Sequence, residues 1–137
     1  MKLVIDTNII ISALIKNGIS RRIIISPHIN FIAPDYMLQE ISKYEKLICK
    51  KAKLNHDEFR LLLNLIFENI NIIPKEDYKD QLNHAKTLID DINDIPFIAP
   101  CLASKANGIW SDDVHFKTQK DIMIFRTKEL AIAFKKR

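Results

Sequence analysis

Four carboxylates stand where a side chain can do chemistry: Asp6, Glu40, Asp94 and Asp113. Asp6 closes the run Leu3-Val4-Ile5, which reads as a strand buried on both faces. An acid at the end of a central strand sits in the crevice where open α/β sheets keep their ligands. Glu40 falls about 60–80° from the apolar stripe of its helix, beside the packed face and not opposite it. Asp94 lies in the first turn of a helix, and Asp113 follows another short strand, with Asp112 next to it. Singly, each has a plainer role: Asp6 as a helix cap, Glu40 as a partner for Lys43, Asp94 as an acid facing a helix dipole, Asp113 as a turn residue. Together, like-charged carboxylates raise one another's pKa unless a cation neutralises them. An all-oxygen donor set suits Mg2+ or Mn2+. Two such ions can activate a water and steady the leaving oxygen in phosphodiester cleavage.

The elements that must position these acids are legible in outline. Thr7 and Asn8 can cap a helix over Ile9 to Lys16, stopped by Asn17-Gly18. Ser20 can cap a short helix from Arg21 to Ile25, ending before Pro27. Asn30-Phe31-Ile32-Ala33 reads as a second strand, and Asp35 caps a longer helix through about Lys50. Its apolar stripe is Met37, Ile41, Tyr44 and Ile48. Asn55 and Glu58 form a capping box for a helix to Phe67, apolar over a wide arc and expected to pack on several neighbours. Asn71-Ile72-Ile73 is a third strand, followed by an exposed helix from Lys79 to Asp90.

Asp91-Ile92-Asn93-Asp94 opens a helix that buries Ile95, Ile98, Ala99, Leu102 and Ala106 and ends at Asn107-Gly108. Pro100, about six residues in, forfeits a backbone hydrogen bond and predicts a kink. Ile109-Trp110 is the fourth strand and Asp121 to Phe125 the fifth, and Thr127 caps a last helix through Lys135-Lys136-Arg137. Strands alternating with helices predict a parallel sheet covered on both faces. In such a sheet strands one, two and four end at one edge. A helix running back into strand four starts at that edge too, so Asp94 faces the others.

Composition narrows the function. The chain has 137 residues, room for one domain with a real core, and no repeat or linker divides it, so 1–137 is read as a single domain. Only two glycines are present, which excludes a Gly-rich phosphate loop or dinucleotide fingerprint. A net charge of +4 suits a polyanionic partner. Cys49 and Cys101 have neither metal-like spacing nor a disulfide framework, and no secretory leader or membrane span is legible, so a reduced cytoplasmic setting is expected. The histidines are scattered; among them His115, two residues past Asp113, is the one placed to touch a substrate. Trp110 reads as core. Lys43 and Lys46 share a helix with Glu40, and Arg21 and Arg22 sit together on the second helix, so these four are the candidates to guide a phosphate backbone toward the acids.

The chain also resembles a known family over nearly its whole length. Val4-Ile5-Asp6-Thr7-Asn8, Leu38-Gln39-Glu40-Ile41, the stretch from Asp91 to Ala99 and Trp110-Ser111-Asp112-Asp113-Val114-His115-Phe116 are similar, in that order, to the motifs of PIN domains. These are the nuclease fold of many prokaryotic toxin–antitoxin toxins and of RNA-processing enzymes. The resemblance implies a three-layer α/β fold with a five-stranded parallel sheet, order 3-2-1-4-5. It implies Asp6, Glu40, Asp94 and Asp113 as metal-binding carboxylates, with Asn8 and Ser111 as polar support. Asp91 and Asp112 become outer candidates, each able to stand in for its neighbour. It further implies Mg2+- or Mn2+-dependent hydrolysis of single-stranded RNA, a homodimer and, in toxin members, an antitoxin partner.

Three other functions are weighed. A structure-specific DNA nuclease needs insertions for which 137 residues leave no room. A phospho-acceptor domain needs an aspartate after the third strand, where Ile73-Pro74-Lys75 offers none. An inactive RNA- or partner-binding module would keep the fold without the chemistry.

Overall fold

Leu3, Val4 and Ile5 are fully buried, as a strand flanked on both sides and covered on both faces must be. They belong to β1 (Lys2–Ile5), the middle of a five-stranded sheet. The computed structural model describes residues 1–26 and 28–135; Pro27, Lys136 and Arg137, reached by the expected helix ends, lie outside the described residues.

β2 (Asn30–Pro34) pairs parallel to β1, with Leu3 opposite Phe31, and β3 (Ile70–Ile73) pairs outside β2. On the other side come β4 (Gly108–Trp110), with Ile5 opposite Trp110, and β5 (Ile124–Phe125). The order is β3-β2-β1-β4-β5 with every pair parallel, as expected. Right-handed crossovers that step one way from β1 to β3 and then reverse to β4 put their helices on opposite faces.

The first layer comprises α1 (Thr7–Ile15), α2 (Ile19–Ile24), α3 (Tyr36–Lys43), α4 (Glu45–Ala52) and α5 (His56–Phe67), with α2 against α9 (Thr127–Lys135). The second is α6 (Lys75–Tyr78), α7 (Leu82–Leu88) and α8 (Ile95–Ala103), and α8 lies over β1, β2 and β4. Phe31 and Trp110, fully buried, meet at 5.6 Å between ring centres across β1.

Several expectations are corrected. The helix from Asp35 to Lys50 is two helices, broken at Tyr44. The break leaves Tyr44 41% exposed while Ile48 is buried, so the stripe is not continuous. α5 does pack on more than one neighbour, α1 and β3, with Phe59 and Ile66 buried, although Leu61 is left 65% exposed. The helix expected over Lys79 to Asp90 is a 3-10 turn at Lys79–Gln81 followed by α7, and α6 just before it was not expected.

Asp35 makes no side-chain cap. It instead accepts the Tyr78 hydroxyl at 2.7 Å and the Lys75 amide at 3.0 Å, tying the end of β2 to α6. β5 is shorter than expected because the Gln119 side chain takes up both backbone groups of Ile122, holding it out of the ladder. Gly108 is no helix stop but a buried strand residue, where a Cβ would lie 2.3 Å from the Met123 carbonyl. α8, expected to run to Asn107-Gly108, ends at Ala103, three residues past the buried Pro100. No described helix is long and apolar enough to cross a membrane.

Candidate active site

Asp6 occupies the N-cap position of α1, where the Asn8 amide lies near its carboxylate without closing a full capping hydrogen bond. The plainer role, a helix cap, is therefore not the whole of what this acid does. Its backbone amide donates to the Trp110 carbonyl, which locks the end of β1 to the end of β4. One residue on, the Ser111 hydroxyl donates to Asp6 Oδ2 at 2.8 Å and accepts the Asp113 amide at 3.0 Å. Ser111 is fully buried, so this relay from Asp113 through Ser111 to Asp6 is shielded from water. It fixes two acids 107 positions apart in sequence around one hydroxyl.

Glu40 comes in from α3. It accepts the Thr7 hydroxyl through Oε1 at 2.6 Å, so it is anchored to the first turn of α1, beside Asp6. Thr7 was expected to cap that helix; it serves Glu40 instead. Asn8 is exposed and lines a cavity of about 360 Å3 with Thr7, Glu40, Tyr44 and Lys51. Asp94 stands at the N-cap of α8, also without a capping bond, because Pro96 removes one first-turn N–H. The amides of Phe97 and Ile98 are taken by the Asp94 carbonyl. Asp94 is 8% exposed, and its Oδ2 is buried with no hydrogen-bond partner among the described residues.

The electrostatics follow from this crowding. Burial pushes the Asp6 carboxyl up to about 6; Asp113 and Glu40 push the same way, while the Ser111 hydroxyl and the nearby Asn8 amide oppose them. Burial likewise pushes Asp94 up to about 6, aided by Asp91, Asp113 and Asp6 and opposed by His115. Glu40 is raised by burial, against the Thr7 hydrogen bond and Lys43. The acids of four separate elements thus feel one another. A hard divalent cation fits this donor set of carboxylate oxygens, one of them orphaned and buried.

The remaining candidates divide. Asp91 Oδ1 accepts the Asn93 amide, which leaves its other oxygen free beside Asp94. Asp112 points the other way: its two oxygens accept the Thr127 amide at 2.8 Å and hydroxyl at 2.7 Å, at the start of α9. Thr127 in turn accepts the Trp110 indole N–H. Asp112 is thereby committed to holding α9 on the sheet. Arg21 gives its guanidinium to the carbonyls of Ala13 and Leu14 at the end of α1, whereas Arg22, Lys43 and Lys46 are exposed.

Sequence reasoning missed three residues. Thr7 was legible only as a cap. Tyr36, whose hydroxyl donates to Asn93 Oδ1 at 3.2 Å, bridges α3 to the loop carrying Asp91 and Asp94. With Gln39, Glu40 and Lys43, Tyr36 and Asn93 line a polar cavity of about 270 Å3. None of these pairings has a local signal, since each joins residues dozens of positions apart.

A family model described as PIN domain matches residues 4–132. No curated protein sequence is a significant match to the chain. Among solved structures, the crystal structure of VapBC2 from Rickettsia felis, bound to a DNA fragment from their promoter, contains a chain that is similar with a TM-score of 0.65. The two are 17% identical, and the match covers 92% of this chain and 98% of that one. At that identity the likeness is one of fold.

Proposed function

The chain belongs to the PIN-domain family, and from that premise we propose that it is a divalent-metal-dependent endoribonuclease acting on single-stranded RNA. The observation that carries the reading is the pair Asp6 and Asp94. Both are buried, both stand at helix N-caps without capping, and both carboxyls are pushed up to about 6. Two buried acids left uncapped at helix starts, each opposing the other's charge, one of them with an oxygen that meets no donor among the described residues, are the pattern of a site kept for a cation.

Asp6, Asp94 and Asp113 would hold Mg2+ or Mn2+, with Glu40 holding an ion or aligning the water. When bound, such ions supply a nucleophilic hydroxide near neutral pH and stabilise the leaving oxygen. The chain's own residues supply the arrangement. Ser111 keeps Asp6 and Asp113 in register, and Thr7 keeps Glu40 turned toward them. Lys43, Lys46 and Arg22 draw the phosphate backbone in, with Lys51 at the edge of the cavity by Glu40. Asn8 would steady the water or a ribose hydroxyl from the exposed side of α1.

The VapBC2 structure is bound to a DNA fragment from their promoter. By that likeness we propose for this chain a homodimeric, cytoplasmic toxin with a protein antitoxin that covers the acids; a processing nuclease would use the same site. The test is cleavage of a mixed single-stranded RNA pool with Mn2+ or Mg2+. Cleavage should stop in EDTA and in Asp6→Asn. Cleavage that survives Asp6→Asn, or a wild-type protein inert with both metals, would overturn the proposal in favour of another site or a binding module.

A further inference from the structure

We propose that Asp91, Asp94 and His115 form a second cation site, for a divalent first-row transition ion, on the flank of the four-carboxylate centre. One carboxylate oxygen of Asp91, one of Asp94 and one ring nitrogen of His115 lie within 4.8 Å of one another. They come from different parts of the chain: the loop before α8, the N-cap of α8, and the 3-10 turn Val114–Thr118 after β4. Bonds of about 2.1 Å put ligand atoms roughly 3–4 Å apart, so these need to close by at most about 1–2 Å.

Asp94, the ligand this site shares with the four-carboxylate centre, is a second sign, beyond the clustering itself, that something belongs there. It is more than nine-tenths buried, and its Oδ2 meets no donor among the described residues. A native fold rarely strands a buried anionic oxygen unless a ligand completes it. His115 is held for the task by Asp113, whose Oδ1 accepts the His115 backbone amide at 2.9 Å and lies 3.3 Å from Nδ1. A carboxylate that fixes the ring of a ligating histidine is a recurrent feature of metal sites. A cavity of about 350 Å3, lined by Asp90, Asp91, His115 and Thr118, gives an ion and its waters a way in.

The donor set decides the metal. Mg2+ prefers oxygen and keeps its waters, whereas imidazole favours softer ions of the Mn2+ to Zn2+ row. This site is therefore distinguished from the all-carboxylate centre by its nitrogen, and shares only Asp94 with it. The competing explanation is a protonated His115 that merely neutralises Asp91 and Asp94.

The ring nitrogens of the four histidines, resolved by NMR on the 15N-labelled full chain, separate the two explanations. Titrating metal-free protein with Zn2+ should move one His115 ring nitrogen to a metal-bound position at stoichiometric metal. His28, His56 and His84 should stay put, and Mg2+ should give no metal-bound His115 nitrogen. Asp91→Asn should weaken the Zn2+ response at least tenfold, while Asp6→Asn should preserve it. A His115 ring that responds no more than the other three, or equally in Asp91→Asn, overturns the inference. RNA cleavage is not read in this experiment, so an active nuclease with a silent His115 defeats this site alone. A responsive His115 in a protein that cleaves nothing defeats only the nuclease reading.

Discussion

Replacing Asp94 with asparagine should stabilise the metal-free protein at neutral pH, although Asp94 is a proposed ligand. The native carboxyl is pushed up to about 6 from its ordinary value of 3.8, because burial and the charges of Asp91, Asp113 and Asp6 oppose its ionisation. A native pKa raised above the unfolded one means that the folded state binds the proton more tightly. The stability this group contributes is therefore complete below pH 3.8 and lost as pH rises through about 6. At about 1.4 kcal/mol per pKa unit, ionised Asp94 costs the fold about 2–3 kcal/mol more near pH 7.5 than near pH 4.

Asparagine removes that cost and adds buried amide donors, whose penalty does not change with pH. The quantity to measure is thus the difference in ΔΔG between the two pH values, from urea unfolding in EDTA. It should favour the variant by about 2–3 kcal/mol at the higher pH. Added Mn2+ should reverse the order, because only the wild type keeps the full ligand set. A ΔΔG that is the same at both pH values would show that Asp94 is not held against its charge, and the argument for a cation-shaped site would fail with it.

Ser111→Ala removes the hydroxyl between Asp6 and Asp113 and should cost about 1–3 kcal/mol of stability along with a weaker Mn2+ affinity; calorimetric binding and unfolding together check this. Asp112→Ala should cost about 1–2 kcal/mol by uncapping α9, while Mn2+ affinity, measured by the same calorimetry, stays within twofold of wild type. In Gly108→Ala the new Cβ would clash with the Met123 carbonyl, so β4 and β5 should part, at a cost of about 1–3 kcal/mol. Faster hydrogen exchange at the Ile109 amide, which bonds that carbonyl, is the direct readout. Lys43→Ala should lower the salt slope of single-stranded RNA binding by about 0.7, the value for one phosphate contact, whereas Arg21→Ala should leave the slope unchanged and reduce stability.

The sheet was legible in the sequence because its signals are local. Leu3-Val4-Ile5 is apolar enough to need burial on both faces, and alternation of strand and helix leaves few topologies for a parallel sheet. The capping box at Asn55 and Glu58 was equally local, and it forms as expected. The positions of the acids at element ends were readable too, since a strand's end is marked by where its apolar run stops.

What the acids do there was a matter for the tertiary structure alone. Asp35 and Asp94 both precede helices, and Asp112 and Asp113 are neighbours, so no local rule separates their fates. Asp35 meets Tyr78 and Asp112 meets Thr127, and each is spent on the fold. Asp94 Oδ2 meets no donor among the described residues, and Asp113, its backbone held by Ser111, spends one carboxylate oxygen on the His115 amide and keeps the other. Glu40 reads as a surface acid until Thr7, 33 residues earlier, reaches it. Local propensity is set by a residue and its near neighbours, but the state of a carboxylate is set by whatever the fold carries to within hydrogen-bonding distance of it. That is why the chain's elements can be read from its text, and the division of its acids into structural and available ones required the folded molecule.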